Sequence, residues 1–130
     1  MKFMLMMHAP RGTGNWGVMA WPRQDLQAHI EHMMRINADL QASGEWVGAE
    51  GLAPPAAARI VRAGGNGSPL VTDGPFAETK EFLAGYWIVE VPNVERAYEI
   101  AARASAAPGP GGTPLNLPIE VRQVMAAPPA

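Results

Sequence analysis

His8 and Asp73 are the side chains in this sequence best suited to moving a proton. His8 closes the run Phe3-Met4-Leu5-Met6-Met7 and shares a strand face with Met4 and Met6. An imidazole with an ordinary pKa of about 6.5 serves as general acid or base near neutrality. Asp73 lies in the most distinctive run of the chain, Val71-Thr72-Asp73-Gly74-Pro75-Phe76-Ala77-Glu78-Thr79-Lys80-Glu81. Gly74 tolerates positive φ and Pro75 has no N–H, so a strand ends there. Two roles suit Asp73. As a carboxylate at a strand end facing a pocket, it orients the His8 imidazolium or acts as the base itself. As turn chemistry, it accepts backbone N–H bonds within its own loop. His8 has a parallel alternative, a partly buried ring with one satisfied nitrogen.

Other residues could hold a substrate. Trp16 and Trp21, with Val18 and Met19, sit in a glycine-rich loop from Ala9 to Trp21. Large apolar groups on such a loop form a lid, meet a partner, or tuck against the protomer's own edge. Tyr86 and Trp87 are neighbours on one strand, so one of them looks toward any cleft; an aromatic there stacks on a planar ligand or simply packs. Glu50, Glu90, Glu120 and Arg122 interrupt apolar strands. Such charges are paired, line a cleft or mark an edge, and Arg122 is the candidate substrate contact among them. His29 and His32 are three apart on a helix, with His32 farther round toward solvent, but no third ligand is evident, and no metal site is expected. Gly64-Gly65-Asn66-Gly67 lies in a hairpin rather than before a helix, so no phosphate loop and no cofactor is expected.

Elements must position these groups. Phe3 to His8 alternates as a strand covered on both faces. Pro22 opens a helix whose apolar positions, Leu26, Ile30, Met33 and Leu40 with Met34 and Ile36 on the flank, recur at helical spacing. Gly44 suits the left-handed position that ends it. Glu45 to Leu52 is a second strand. Ala57 to Ala63, with Ile60 and Val61 inside and Arg59 and Arg62 outside, pairs with Pro69 to Thr72 through a glycine turn. Gly85 to Val91 is an apolar strand; Asn93 caps a second helix over Val94 to Ala104. Leu117 to Met125 is the last strand.

Composition limits the rest. A chain of 130 residues supports one domain, taken as 1–126 with 127–130 as a loose tail. The hydrophobic fraction of 48% against 17% charged residues is that of a globular chain, and so little charge favours an oligomer. The net charge of −2 and the absence of a basic run argue against nucleic-acid binding. The chain has no cysteine, which excludes disulfides and a thiol nucleophile. No apolar stretch reaches membrane-spanning length, and the cytoplasm is the expected location.

The motif run resembles the signature of the YCII-related, or DGPF-domain, family. The resemblance continues through the rest of the chain. Met1-Lys2-Phe3-Met4-Leu5-Met6 is similar to that family's opening strand, Gly51-Leu52-Ala53-Pro54-Pro55 to its "GLxPP" turn, Gly85 to Val91 to the strand after the motif, and Ile119-Glu120-Val121-Arg122 to the closing strand. The resemblance implies an α+β protomer, ferredoxin-like, of βαβ(β)βαβ order with an antiparallel sheet, pairing into a dimeric α/β barrel.

Two functions follow from that likeness. One is a small cofactor-independent enzyme of the lyase or isomerase kind, abstracting a proton or driving an elimination on a small cyclic or aromatic substrate in the dimer cleft. His8 and Asp73 then carry the proton, and Trp16, Trp21, Tyr86 or Trp87, and Arg122 hold the substrate. The other is a non-catalytic ligand-binding or regulatory homodimer linked to sigma-factor-dependent transcription.

Overall fold

In the computed structural model, which describes residues 1–10, 20–75 and 80–126, six strands and two long helices follow the chain as β1 (Lys2–Pro10), α1 (Arg23–Ser43), β2 (Trp46–Gly51), β3 (Arg59–Ala63), β4 (Pro69–Asp73), β5 (Glu81–Glu90), α2 (Val94–Ser105) and β6 (Ile119–Gln123). Four strands make an antiparallel sheet in the order β2-β5-β1-β6, and β3 and β4 form a two-stranded sheet of their own. With the hairpin set aside, the sheet order is second–third–first–fourth, and each βαβ half places its helix on one face. This is the ferredoxin-like α+β arrangement.

Alternation along β1 sets the two faces. Phe3, Leu5, Met7 and Ala9 are buried beneath the helices, while Met4, Met6, His8 and Pro10 are only half-buried on the other side. The core continues through Trp87 and Val89 of β5, Ile36 and Leu40 of α1, and Ala97, Ile100 and Ala104 of α2. Both helix ends have local causes. Gly44 adopts φ 79° after α1, and Glu45 N–H reaches back to the Leu40 carbonyl at 3.0 Å. The Asn93 side chain accepts the Arg96 N–H at 2.9 Å and starts α2.

Four expectations need correction. Val61 is 61% exposed, and Leu70 and Val71 are also open, because the described residues do not cover them, while Ile60 on the other face is half-buried. The buried stripe of α1 runs through Ile36 and Leu40, while Ile30 and Met34 face outward; helical spacing alone admits either rotation. His32 is half-buried rather than solvent-facing, its Nε2–H donating to the Arg103 carbonyl at 2.9 Å. Strand β5 also starts at Glu81 rather than Gly85, carried past a bulge at Ala84, where the β1 register shifts between Met7 and His8.

Candidate functional site

Strand register assembles the open face of the sheet. Glu120, Met6, Tyr86 and Glu50 stand in one row across β6, β1, β5 and β2, and Arg122, Met4, Ile88 and Gly48 in the next. Directly paired residues share a face, so His8, Tyr86, Glu50, Glu120 and Arg122 all project on the side away from the helices. Met4, Met6, Tyr86 and Ile88 are half-buried there.

The bulge at Ala84 puts His8 opposite Leu83. Its ring finds a carboxylate: Nε2 lies 3.0 Å from Glu120 Oε1. An ionised carboxylate only accepts, so Nε2 carries the proton in that bond. The side chains are 26% and 48% exposed, so the pair is reachable from solvent. An imidazole held by a carboxylate on one side has the arrangement that general acid–base chemistry uses.

A groove of about 510 Å³ opens beside this pair. His8 lines it with Leu52 and Pro54–Pro55 on one wall, Ala58 and Pro75 on another, and Phe82–Leu83 below. The segments expected to matter from sequence therefore converge: the end of the first strand, the Leu52–Pro55 turn and the Gly74–Pro75 turn. Two backbone bonds hold the walls, Leu52 N–H to the Ala84 carbonyl at 2.9 Å and Gly74 N–H to the Ala58 carbonyl at 3.0 Å. Glycine at position 74 eases that approach, because a Cβ there would lie 3.2 Å from the Ala58 carbonyl carbon and press on backbone. The wall is mostly apolar, with Glu81 as its charged member.

Asp73 ends β4 at the edge of this assembly. Its side chain is 96% exposed, and its ionic neighbour is Arg59, with Arg59 Nε 3.7 Å from Oδ1. Among the described residues, the carboxylate bonded to His8 is that of Glu120, not of Asp73. Glu120 was grouped in the sequence with other strand charges; only the β1–β6 register singles it out.

The expected substrate-holding residues divide between the two sides of the sheet. Tyr86 and Arg122 are on the open face; neither Arg122 nor Glu50 has an ion-pair partner among the described residues. Trp87 is buried on the helix side, and its indole N–H donates to Asn37 Oδ1 at 2.9 Å. Trp21 meets the His29 ring edge-on, with centroids 5.4 Å apart. Trp16 lies outside the described residues. His29 Nδ1–H donates to the Pro108 carbonyl at 3.0 Å, and burial pushes its pKa below the ordinary histidine value despite that bond, with nearby His32 lowering it further. Among the described residues, no group of three or more His, Asp or Glu side chains could hold a metal ion. No helix among them is long and apolar enough to cross a membrane.

Comparison with known sequences places these features. The family model for the YCII-related domain matches residues 1–111, which include His8, both turns of the groove and all of β5. An uncharacterized protein of Rhizobium meliloti (strain 1021) is 28% identical over 88 residues, a stretch that covers 68% of this chain and 70% of the relative.

Proposed function

This chain belongs to the YCII-related family, and from that premise we propose that it is a homodimeric, cofactor-independent acid–base catalyst acting on a small cyclic or aromatic molecule. The observation that carries the reading is the His8–Glu120 pair, 3.0 Å apart at the wall of an apolar groove. His8 takes a proton from an acidified C–H of the bound molecule, or returns one. Glu120 orients the ring and stabilises its charged form. The proton abstracted from carbon passes to His8 and leaves to solvent or to a neighbouring atom of the same molecule. Return of the proton to another carbon gives an isomerisation; departure of a leaving group with its electron pair from the adjacent carbon to solvent gives an elimination, and neither needs an oxidant.

Asp73 is the second carboxylate of the proposal, at the end of β4 two residues before the groove-lining Pro75. It joins the proton transfer once a bound molecule or a second copy of the chain brings it against His8.

The second copy has a place to sit. The open face carries the half-buried rows of Met4, Met6, Tyr86 and Ile88, and an antiparallel sheet with helices on one side leaves such rows to be covered from the other. A two-fold axis running along the strands lays β2 of one copy over β6 of the other.

A non-catalytic ligand-binding or regulatory dimer, of the sort linked to sigma-factor-dependent transcription, draws support from the exposure of Asp73, whose carboxylate is not assembled with His8 in the protomer. One experiment separates the two. Cyclic ketones, lactones and arylacetic acids are incubated with the protein in deuterated water, and exchange at their acidic C–H positions is followed by NMR. Catalysed exchange by the wild type that disappears in His8→Ala, with ligand affinity retained, supports the enzyme. Binding without exchange, equal in wild type and His8→Ala, supports the regulatory dimer.

A further inference from the structure

The sheet has a second hollow, on its helix side, and its cause is legible in the strand register. Ala49 pairs with Trp87 and Gly51 with Gly85 on the face turned toward α1, and Ala84 sits at the bulge beside them. These four small residues make up the floor, Gly85 because a Cβ there would lie 2.9 Å from the Glu50 carbonyl oxygen. A Cβ built on Gly51 meets nothing within 4 Å. The resulting cavity measures about 240 Å³. Protein interiors are packed to nearly crystalline density, and an apolar cavity of roughly 150 Å³ already accommodates one benzene ring.

The wall opposite this floor is not merely apolar. His29, Met33 and Asn37 follow one another at four-residue spacing along one face of α1 and line the cavity together. Both polar members are held from behind. The Asn37 Oδ1 atom is taken by the Trp87 indole N–H at 2.9 Å, which fixes the amide orientation and leaves its NH₂ as the donating end. The His29 ring is anchored through Nδ1 to the Pro108 carbonyl at 3.0 Å. The Asn37 amide, positioned by such a backing bond, is preorganised for a ligand. Trp87, Met7 and Met33 supply a flat aromatic surface and two adaptable thioethers. Among the described lining residues there is no Lys or Arg, and the Glu50 side chain belongs to the opposite face, so a carboxylate or phosphate ligand would find no countercharge.

We propose that this cavity is a second binding site, for a neutral single-ring aromatic molecule bearing a hydrogen-bond acceptor. The ring lies on Trp87 between Met7 and Met33, and the acceptor meets the Asn37 amide. Met7 lines this site while its neighbour His8 lines the groove across the sheet, so the two sites are separate and the fate of one proposal does not decide the other.

Benzamide is the probe, with benzoate and cyclohexanecarboxamide as controls. Titrations use the wild type and two variants that fill the cavity from its floor, Gly51→Val and Ala49→Leu. Benzamide should bind the wild type with contacts from its ring protons to the Met7 and Met33 methyl groups in NMR. The filled variants should bind it about tenfold more weakly or worse while melting no lower than wild type, and benzoate should bind the wild type about tenfold more weakly than benzamide. The proposal is overturned if the wild type shows no benzamide contact at Met7 and Met33, if benzoate binds as well, or if a folded filled variant binds benzamide undiminished. The wild-type measurements decide the matter even where a filled variant fails to fold.

Discussion

Glu120 stands directly opposite Met6 in the β1–β6 ladder, yet its Oε1 reaches His8 Nε2 at 3.0 Å, one step along the same face. A diagonal contact of this kind suits a long side chain meeting a ring across adjacent strands. It gives the histidine a carboxylate without placing that carboxylate in the groove, and it leaves His8 between the acid and the space where a small molecule would lie.

Glu120→Gln keeps the shape of that contact and removes its charge. Both side chains are partly exposed, so the stability change should stay within about 1 kcal/mol. The proton-exchange activity proposed for His8 should fall by about tenfold to a hundredfold, since an amide stabilises the imidazolium poorly. Chemical denaturation and deuterium exchange on the same preparations check both halves of this expectation. Unchanged exchange would remove Glu120 from the mechanism.

The Asp73-Gly74 turn makes opposite predictions at its two residues. Asp73 is 96% exposed and, among the described residues, its ionic neighbour is Arg59 at 3.7 Å, so Asp73→Asn should shift stability by no more than about 0.5 kcal/mol. Gly74→Ala pushes a methyl group to within 3.2 Å of the Ala58 carbonyl carbon, against backbone that also accepts the Gly74 N–H. It should cost about 1–2 kcal/mol and loosen the groove wall. Melting curves of the two variants side by side test the contrast. A large loss in Asp73→Asn would show that its carboxylate holds the turn.

Arg96 joins the start of α2 to the residue that follows α1. Its Nε and Nη2 donate to the two carboxylate oxygens of Glu45 at 2.8 and 2.9 Å, and Nη1 reaches Glu99 at 3.2 Å. The bond from Arg96 is the main cause holding the Glu45 pKa below its ordinary value, helped by the Ser43 hydroxyl and opposed by desolvation. A carboxyl depressed in the folded state binds fewer protons there than in the unfolded chain. Its stabilisation is therefore complete above the ordinary glutamate pKa and is lost as pH falls through the lowered folded value. Arg96→Met should cost about 1–2 kcal/mol at neutral pH and flatten the acid limb of the stability curve, measured by denaturant unfolding between neutral and acidic pH.

His29 acts on a different part of the same curve. Burial is the first cause of its lowered pKa, with the Pro108 carbonyl opposing and His32 adding to the shift. The unfolded chain then binds more protons between the lowered value and about 6.5, and stability rises with pH across that window. The melting temperature should fall as pH drops below about 6.5, and His29→Gln should remove part of that dependence. An unchanged slope in the variant would assign the effect to other groups.

Much of this protein was set locally and could be read without tertiary structure. The alternation of β1, the left-handed turn at Gly44, the Asn93 cap and the strand-ending Asp73-Gly74-Pro75 run depend on residues a few positions apart, and steric and hydrogen-bonding preferences at that range act in any context. The order of the segments carried the family resemblance and with it the ferredoxin-like sheet. Which rotation of α1 is buried, whether Val61 is covered, and which acid meets His8 are not local matters. His8 and Glu120 are separated by 112 positions, and only the pairing of β6 with β1 brings them together. The groove exists because two turns close against the end of β1. The helix-side cavity exists because the paired segments Ala49–Gly51 and Ala84–Gly85 bring only small residues to its floor. Strand register and the docking of whole elements decide such contacts, because the free energy of burial belongs to surfaces that meet only after the chain has folded.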